Sequence, residues 1–166
     1  MGEQPRYEER ISSNRTEGLF VVLMLLCAGL GAWRVRAAGF DVMAAVLSGL
    51  ALFFLFYALN YRVLIIRLAP EALELRFGLF TWKMAVENIE ACFPDETSLW
   101  RIGGAGIHFS PIGGRYRAMF NFLEYPRLVV ALKQKKGPVR DVAFSTQRPD
   151  EVLRLIQEAT AAKRDA

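Results

Sequence analysis

The hydrophobic positions of this chain are concentrated between Gly18 and Tyr61, where two apolar runs follow one another. The first run, Gly18 to Trp33, contains no charged residue, and the arginines after it can extend their charged groups to the membrane surface. A helix that reaches Ala38 has about 21 residues and spans about 30 Å, the thickness of the hydrocarbon core. The second run, Val42 to Tyr61, has about 20 uncharged residues. Each run therefore predicts a transmembrane helix.

The segment between the two runs predicts a tight helical hairpin. Only a few residues separate Arg36 from Asp41, so the helices must run antiparallel and leave both chain ends on one side. Asp41 is placed to cap the unpaired backbone amides at the start of the second helix. Small residues at i, i+4 spacing allow close backbone approach and are the candidate helix contacts. These pairs are Cys27 with Gly31, Ala44 with Ser48, and Ala45 with Gly49.

The charges that flank the two runs predict their orientation, because cationic flanks favour the cytoplasmic side. The residues that precede or follow the hairpin are Arg6, Arg10, Arg15, Arg62, Arg67, Arg76 and Lys83, against Arg34 and Arg36 in the turn. We therefore expect a multi-pass protein of the cytoplasmic membrane with both termini in the cytoplasm. The polar segment Met1 to Glu17 is predicted to be disordered or to lie on the membrane surface.

A cleaved signal peptide is the alternative interpretation of the first run. A lipoprotein signal needs a small residue before its cysteine, whereas Leu26 precedes Cys27 here. No A-x-A cleavage site follows the run either. The sequence therefore favours a retained helix.

Beyond Tyr61 the pattern changes to an alternation of apolar and polar residues, which is typical of half-buried strands. Glycine and proline separate the alternating stretches, and the segment Lys133–Pro138 predicts a turn. The predicted strands, about seven in number, cover residues 63–65, 73–77, 80–86 with a continuation at 89–93, 107–109, 116–122, 128–132 and 139–144.

The chain then closes with an amphipathic helix. Between Pro149 and Lys163, apolar residues fall on one face at helical spacing, namely Val152, Leu155, Ile156 and Ala159. The sequence thus predicts an α+β protein with a tail (1–17), a transmembrane hairpin (18–61) and one β-rich domain (62–166).

Two short motifs connect this architecture to a known family. They are Phe77-Gly78-Leu79-Phe80, between two extended stretches, and Asn88-Ile89-Glu90, an Ile-Glu pair within a strand. With the two preceding helices, they make the chain resemble the bacterial PH-domain membrane proteins. The resemblance implies a pleckstrin-homology-like antiparallel β-barrel or sandwich capped by the C-terminal helix. It also implies a membrane-tethered binding or assembly module and names no catalytic residue. The first strand-to-strand loop, Leu68–Glu71, carries an acid and no cation, which argues against specific phosphoinositide binding.

The net charge is compatible with two classes of polyanionic partner. A net charge of +4 and a pI near 9.3 suit anionic lipid as well as nucleic acid. Nucleic-acid binding is disfavoured because the charges are scattered and the domain is tethered to a bilayer. Cys27 and Cys92 have no metal-type spacing, and a bridge between an apolar helix and the β domain is not expected, which suits a reducing compartment.

The sequence offers no motif for catalysis, a metal or a cofactor. The glycine-rich run Gly103 to Gly106 resembles a phosphate loop, but no GK[ST] follows and it leads into a strand, so turn glycines are the preferred interpretation. His108 is the only histidine and has no partner ligand or nucleophile placed by a motif. We therefore predict a protein that is not an enzyme.

Two groups of residues are candidate binding sites. The candidate contacts with anionic lipid are Arg101, Arg115, Arg117, Lys133, Lys135 and Lys136, with a solvated turn as the alternative for the lysines. The candidate partner groove is Trp100, Tyr116, Phe120 and Phe122, with core packing as its alternative. The predicted function is a membrane-anchored binding or assembly module. The alternatives are a structural subunit that assembles through the hairpin, with a protein partner or a second copy, and an anionic-lipid-binding module.

Overall fold

A computed structural model describes residues 5–164 of the chain. The helices are α1 (Asn14–Ala38), α2 (Val42–Asn60), α3 (Leu99–Ile102) and α4 (Pro149–Arg164), with a 3-10 turn at Val86–Asn88. The strands are β1 (Tyr7–Ser12), β2 (Val63–Leu68), β3 (Ala72–Phe77), β4 (Phe80–Ala85), β5 (Ile89–Pro94), β6 (Gly106–Ile112), β7 (Arg115–Asn121), β8 (Arg127–Lys136) and β9 (Val139–Ser145). The chain is therefore α+β, as predicted.

The two apolar runs form antiparallel helices that are long and apolar enough to cross a membrane. Most of their side chains are exposed, unlike those of a core helix in a soluble protein. The first helix begins at Asn14, before the predicted Gly18, because the Ser13 side chain accepts a hydrogen bond from the Thr16 amide at 3.0 Å. The Asp41 side chain caps α2 at the Ala44 amide, as predicted, and also binds Arg34 at 2.6 Å.

The segment before the hairpin is not a disordered or surface-lying tail, so that prediction is wrong for residues 7–12. These residues form β1, which pairs antiparallel with β2 from Tyr7 opposite Leu68 to Ser12 opposite Val63. Ile11 is fully buried in the core of the β domain. The physical reason is that β1 covers the otherwise open edge of β2, which gives its backbone polar groups partners.

The strands form two sheets, in the orders β1-β2-β3-β4 and β5-β8-β9-β7-β6. Residues 5–164 therefore hold nine strands in two open sheets, and they form no closed barrel. The expectation of a fully antiparallel arrangement is also wrong, because β7 and β9 pair in parallel. This pairing arises because β9 returns between β7 and β8, alongside the strand that precedes β8.

The predicted turn at Lys133–Pro138 is shorter in the structure. Residues Lys133 to Lys136 continue β8, and the chain reverses at Gly137, which has a φ of +61°. The lysines therefore project from a strand end, with their side chains exposed.

The main core lies between the two sheets and extends under α4. The helix buries Val152, Ile156 and Ala159 against the sheets, which matches the predicted apolar face, while Leu155 is partly buried. A second, smaller core lies on the other face of the five-stranded sheet and comprises Ile102, Met119, Val129 and Ala143. The short helix α3, which the sequence pattern does not predict, supplies Ile102 and so covers this second face.

Candidate functional site

Polar contacts join the base of the hairpin to the β domain, both where α1 begins and where α2 ends. Thr16, in the first turn of α1, accepts a hydrogen bond from the Leu123 amide at 3.4 Å. The Tyr125 hydroxyl donates to the Ser12 carbonyl at 2.9 Å. Arg62, just after α2, pairs with Glu17 at 3.2 Å. These contacts hold the domain directly against the ends of the two helices.

A chain of aromatic rings continues this junction into the core. The ring centroids of Tyr57 and Tyr61 are 4.5 Å apart, those of Tyr61 and Phe77 5.0 Å, and those of Phe77 and Phe122 5.1 Å. Offset and edge-to-face aromatic pairs at such distances are favourable beyond their buried area. The rings therefore form one packed path from α2 to the centre of the β domain.

Gly78 fixes the β3–β4 turn against the end of α2. Its φ is +56°, and a Cβ atom at this position would overlap the carbonyl oxygen of Asn60. Glycine tolerates the left-handed conformation and allows the close backbone approach. The β3–β4 turn therefore packs directly against the backbone of Asn60, the last residue of α2.

The N-terminal strand is held at its other end by a buried carboxylate, Glu9. It accepts hydrogen bonds from the Thr146 hydroxyl at 2.7 Å, the Gln147 amide at 2.9 Å and the Tyr7 hydroxyl at 3.1 Å. Burial and the charge of Glu9 raise the pKa of Tyr7 above its ordinary value, so Tyr7 remains a donor at physiological pH. The carboxylate thereby joins β1 to the connection between β9 and α4.

An exposed apolar depression, here called the aromatic groove, lies where β4, β6 and β7 meet the β8–β9 turn. It has a volume of about 560 Å³ and is lined by Trp82, Phe109, Tyr116, Lys136, Gly137, Pro138 and Val139. The rings of Phe109 and Tyr116 are about half exposed. Exposed aromatic side chains that share one concave surface are typical of interaction sites.

One wall of the aromatic groove is cationic. The Lys136 ammonium lies 4.9 Å from the centroid of the Trp82 ring and donates a hydrogen bond to the Lys83 carbonyl at 3.0 Å. Lys133 and Lys135 are exposed on the same strand but are not among the residues that line the groove. An apolar floor with one cation at its edge suits a ligand that combines an apolar anchor with negative charge.

The predicted partner-groove residues fall in different places. Tyr116 lines the aromatic groove. Phe120 and Phe122 are buried in the main core, so their assignment to an exposed groove is wrong. The reason is that both side chains face the other sheet, where Phe122 packs against Phe77 and Phe120 against Trp82. The helix α3 covers the opposite face of β7, at Met119. The side chain of Trp100 lies outside the part of the chain that the structure describes.

The predicted lipid-contact residues are also separated. Arg101, Arg115 and the three lysines have exposed side chains, and their contact with lipid stays a prediction. Arg117 differs, because its side chain is only 9% exposed and pairs with Asp95 at 3.1 Å. It also lies 3.6 Å from the Asp141 carboxylate. This internal pairing withdraws Arg117 from any surface contact, which corrects its assignment.

The buried pair of Arg117 and Asp95 belongs to a structural cluster. Arg127 donates to Asp95 at 3.0 Å and also to the Thr97 carbonyl, while the Thr97 amide donates to Asp95. Burial of the Asp95 carboxyl opposes its ionisation, but hydrogen bonds from Thr97 and Arg127 outweigh burial and lower its pKa. The cluster holds the segment after β5 in place.

The glycine-rich run meets the hairpin at Gly106, and the single histidine, His108, follows in β6. Gly103, Gly104 and Gly106 all have positive φ values, and Gly106 approaches the rings of Phe20 and Tyr57. The run leads into β6, as a turn would. Burial lowers the pKa of His108 below its usual range, so this side chain is neutral at physiological pH. Its neighbourhood contains no grouping of metal-ligand side chains among the described residues.

Of the predicted helix-contact residues, two lie between the helices and one does not. A Cβ atom at Gly31 would lie 3.5 Å from the Cβ of Leu47 and 3.9 Å from the Ser48 hydroxyl, so Gly31 and Ser48 face each other across the hairpin. Gly49 has open space around its Cα and does not take part in this contact. The assignment of Gly49 to the contact within the hairpin is therefore wrong, because it faces away from α1.

Comparison with protein-family models finds no family that matches this chain, and comparison with curated proteins finds no matching relative. Sequence reasoning finds Tyr116 but misses Trp82 and Phe109, because they come from different sheets and no spacing connects them. The one signal for Phe109 in the sequence is its position in a short strand between glycine turns.

Proposed function

We propose that the protein is a membrane-anchored, non-enzymatic binding module, and that its pleckstrin-homology-like domain presents the aromatic groove to a protein partner at the cytoplasmic face. The groove carries this proposal, because it is an apolar, concave and accessible surface that exposes Phe109 and Tyr116 together. Anchorage is supported by the exposed apolar helices and by their fixed junction with the domain.

The position of β1 supports a retained first helix over a cleaved signal peptide. Cleavage after α1 would remove β1, which covers the edge of β2 and buries Ile11. The loss would expose a row of unpaired backbone groups. The cationic flanks of the hairpin support the cytoplasmic placement of both ends.

The proposal is tested by photo-crosslinking in native membranes. A benzophenone amino acid replaces either Tyr116, which is 50% exposed, or Phe93, which is 41% exposed. Phe93 lies on β5, the strand at the far edge of the same sheet. We expect a discrete protein adduct from position 116 and none from position 93. The adduct should weaken when Phe109→Ala removes one wall of the groove.

The outcome distinguishes the alternatives. Equal labelling from the two positions would refute a specific groove. An adduct that forms only from a benzophenone on the exposed face of the hairpin, such as at Leu26, would favour a structural subunit assembled through the helices. An adduct with lipid from position 116 would favour the lipid-binding alternative.

A further inference from the structure

The β3–β4 turn carries an exposed apolar tip that the aromatic groove does not use. Leu79 is 78% exposed, and Phe80 is also exposed although its ring lies parallel to that of Tyr61 at 6.2 Å. Neither side chain contributes to the core. A single exposed apolar side chain needs no explanation, but two adjacent ones, Leu79 and Phe80, lie at the end of an apolar helix and form a continuous apolar surface.

The depth of this tip follows from the length of α2. The helix has 19 residues, which at 1.5 Å per residue span about 28 Å. The hydrocarbon core is about 30 Å thick, so α2 must use its whole length to cross it. Asn60, its last residue, then lies at the boundary between acyl chains and headgroups.

The turn is held at this same depth. Gly78 packs against the Asn60 carbonyl so closely that no Cβ atom fits between them. Asn60 in turn donates its side-chain amide to the Phe56 carbonyl at 2.9 Å, and Phe56 is exposed on the same side of α2. An apolar surface therefore continues from the lipid-facing side of the helix, through the locked turn, to Leu79.

Charges flank the tip where lipid headgroups would lie. Arg76 donates its Nε to the Gly78 carbonyl at 3.3 Å and is exposed, and Arg62 is exposed after the end of α2. Cations close to a membrane surface are attracted to anionic headgroups. Apolar residues at the interface with flanking cations are the pattern of interfacial membrane contact.

We propose that Leu79 and Phe80 insert into the interface of the leaflet in which α2 ends. The tip then gives the β domain a second point of contact with the bilayer, beside the hairpin, and fixes the tilt of the domain over the membrane. This inference rests on the proposed anchorage of the hairpin in a membrane. The occupant of the surface is the bilayer itself, because the apolar surface of the tip is continuous with that of the spanning helix.

The test places single nitroxide labels on the full-length chain in nanodiscs of phosphatidylcholine and phosphatidylglycerol. The labelled variants are Leu79→Cys at the tip, Leu52→Cys in the middle of α2 and Glu71→Cys at the opposite end of β3. Leu52 is 68% exposed and the Glu71 side chain 69% exposed, so each label should be tolerated. The parent chain, whose two cysteines are both buried, gives the labelling background.

The readout is the accessibility of each label to oxygen, which concentrates in lipid, and to a water-soluble nickel chelate. We expect oxygen to dominate at positions 79 and 52 and the chelate to dominate at position 71. If position 79 behaves like position 71 while position 52 lies in lipid, the inserted tip is refuted and the anchored hairpin stands. If position 52 is itself open to the chelate, the anchorage fails and the inference fails with it. Phe80→Cys provides a second site at the tip and should match position 79.

Discussion

The pairing of β1 with the strand after the hairpin predicts that Ile11→Ala strongly destabilises the β domain. The Ile11 side chain is fully buried in the main core, and the substitution removes three carbon atoms. At about 0.8 kcal/mol for each buried methylene-sized group, the transfer contribution is about 2.4 kcal/mol. The cavity left behind raises the expected loss to about 3 kcal/mol, within the range of about 2 to 5 kcal/mol for such truncations.

The matched control is the neighbouring residue on the opposite face of β1. Arg10 is exposed, and its contact with Glu8 at 3.3 Å is a surface ion pair, which contributes little to stability. Arg10→Ala should therefore change the free energy of unfolding by no more than about 0.5 kcal/mol.

The assay is urea unfolding of the full-length protein in detergent micelles, followed by hydrogen exchange of peptides that cover β2. In the Ile11→Ala variant, β2 should lose protection at lower urea concentration than in the parent. If Ile11→Ala and Arg10→Ala behave alike, β1 is not part of the core. The segment before the hairpin would then be an independent tail after all.

Four further outcomes are expected. In thermal melts, Gly78→Ala should destabilise the domain much more than Gly137→Ala does. Both glycines have a left-handed φ, but a Cβ atom at Gly78 would meet the backbone of Asn60, whereas one at Gly137 would face open space. The Gly137→Ala substitution should therefore cost only about 1 kcal/mol. Because the pKa of Asp95 is lowered in the folded state, the ionised carboxylate stabilises the fold above the unfolded pKa of about 3.9, and this stabilisation is lost as pH falls below that value. Midpoints of urea unfolding measured from pH 7 to 3 should show the loss. The Asp95→Asn variant should not show this pH dependence. Burial raises the pKa of Cys92 to about 12, so iodoacetamide at pH 8 should modify it only after unfolding, as mass spectrometry of digests would show. A chain in which a short turn replaces residues 13–62 should stay soluble and show a cooperative melt, whereas the segment that starts at Tyr61 should aggregate through the bare edge of β2.

The helices and most strands could be predicted because their signals are local. The uncharged run 42–60 is long and apolar enough to predict a helix that could cross a membrane, and the Asp41 cap depends on an amide only three residues away. The alternation from Val63 onward likewise marks each strand without reference to its partner. The order of strands in the sheets has no such local signal, so the insertion of β9 between β7 and β8 could not be predicted.

The strand before the hairpin was missed because its stabilising partners are remote. Residues 7–12 contain two glutamates and an arginine, and Ile11 is their only fully buried residue. The hydroxyl that binds Glu9 belongs to Thr146, 137 residues further along the chain. A polar segment whose hydrogen bonds are satisfied so far away is indistinguishable from a tail in the sequence alone.

The aromatic groove could be predicted only in part, for a related reason. Alternation along β7 separates Phe120 from Met119 but does not say whether a further element covers the second face. The helix α3 does cover it, and the exposed surface moves to Tyr116 at the other end of the strand. Burial of a strand face is a property of the whole fold, so a pattern within one strand cannot decide it.

The hairpin lies between β1 and β2 in the chain, which connects the two helices and the β domain more closely than a flexible linker would. Ser12 lies opposite Val63, so the two helices replace the tight turn that would normally join antiparallel neighbours. A flexible insertion of this length would add to the entropy cost of pairing β1 with β2. The helices avoid much of that cost, because the Gly31 contact and the Arg34–Asp41 pair keep them together and return the chain to its starting point. The hairpin therefore stabilises the β domain that it holds, and a change that separates the helices should loosen β1 before it disturbs the rest of the sheet.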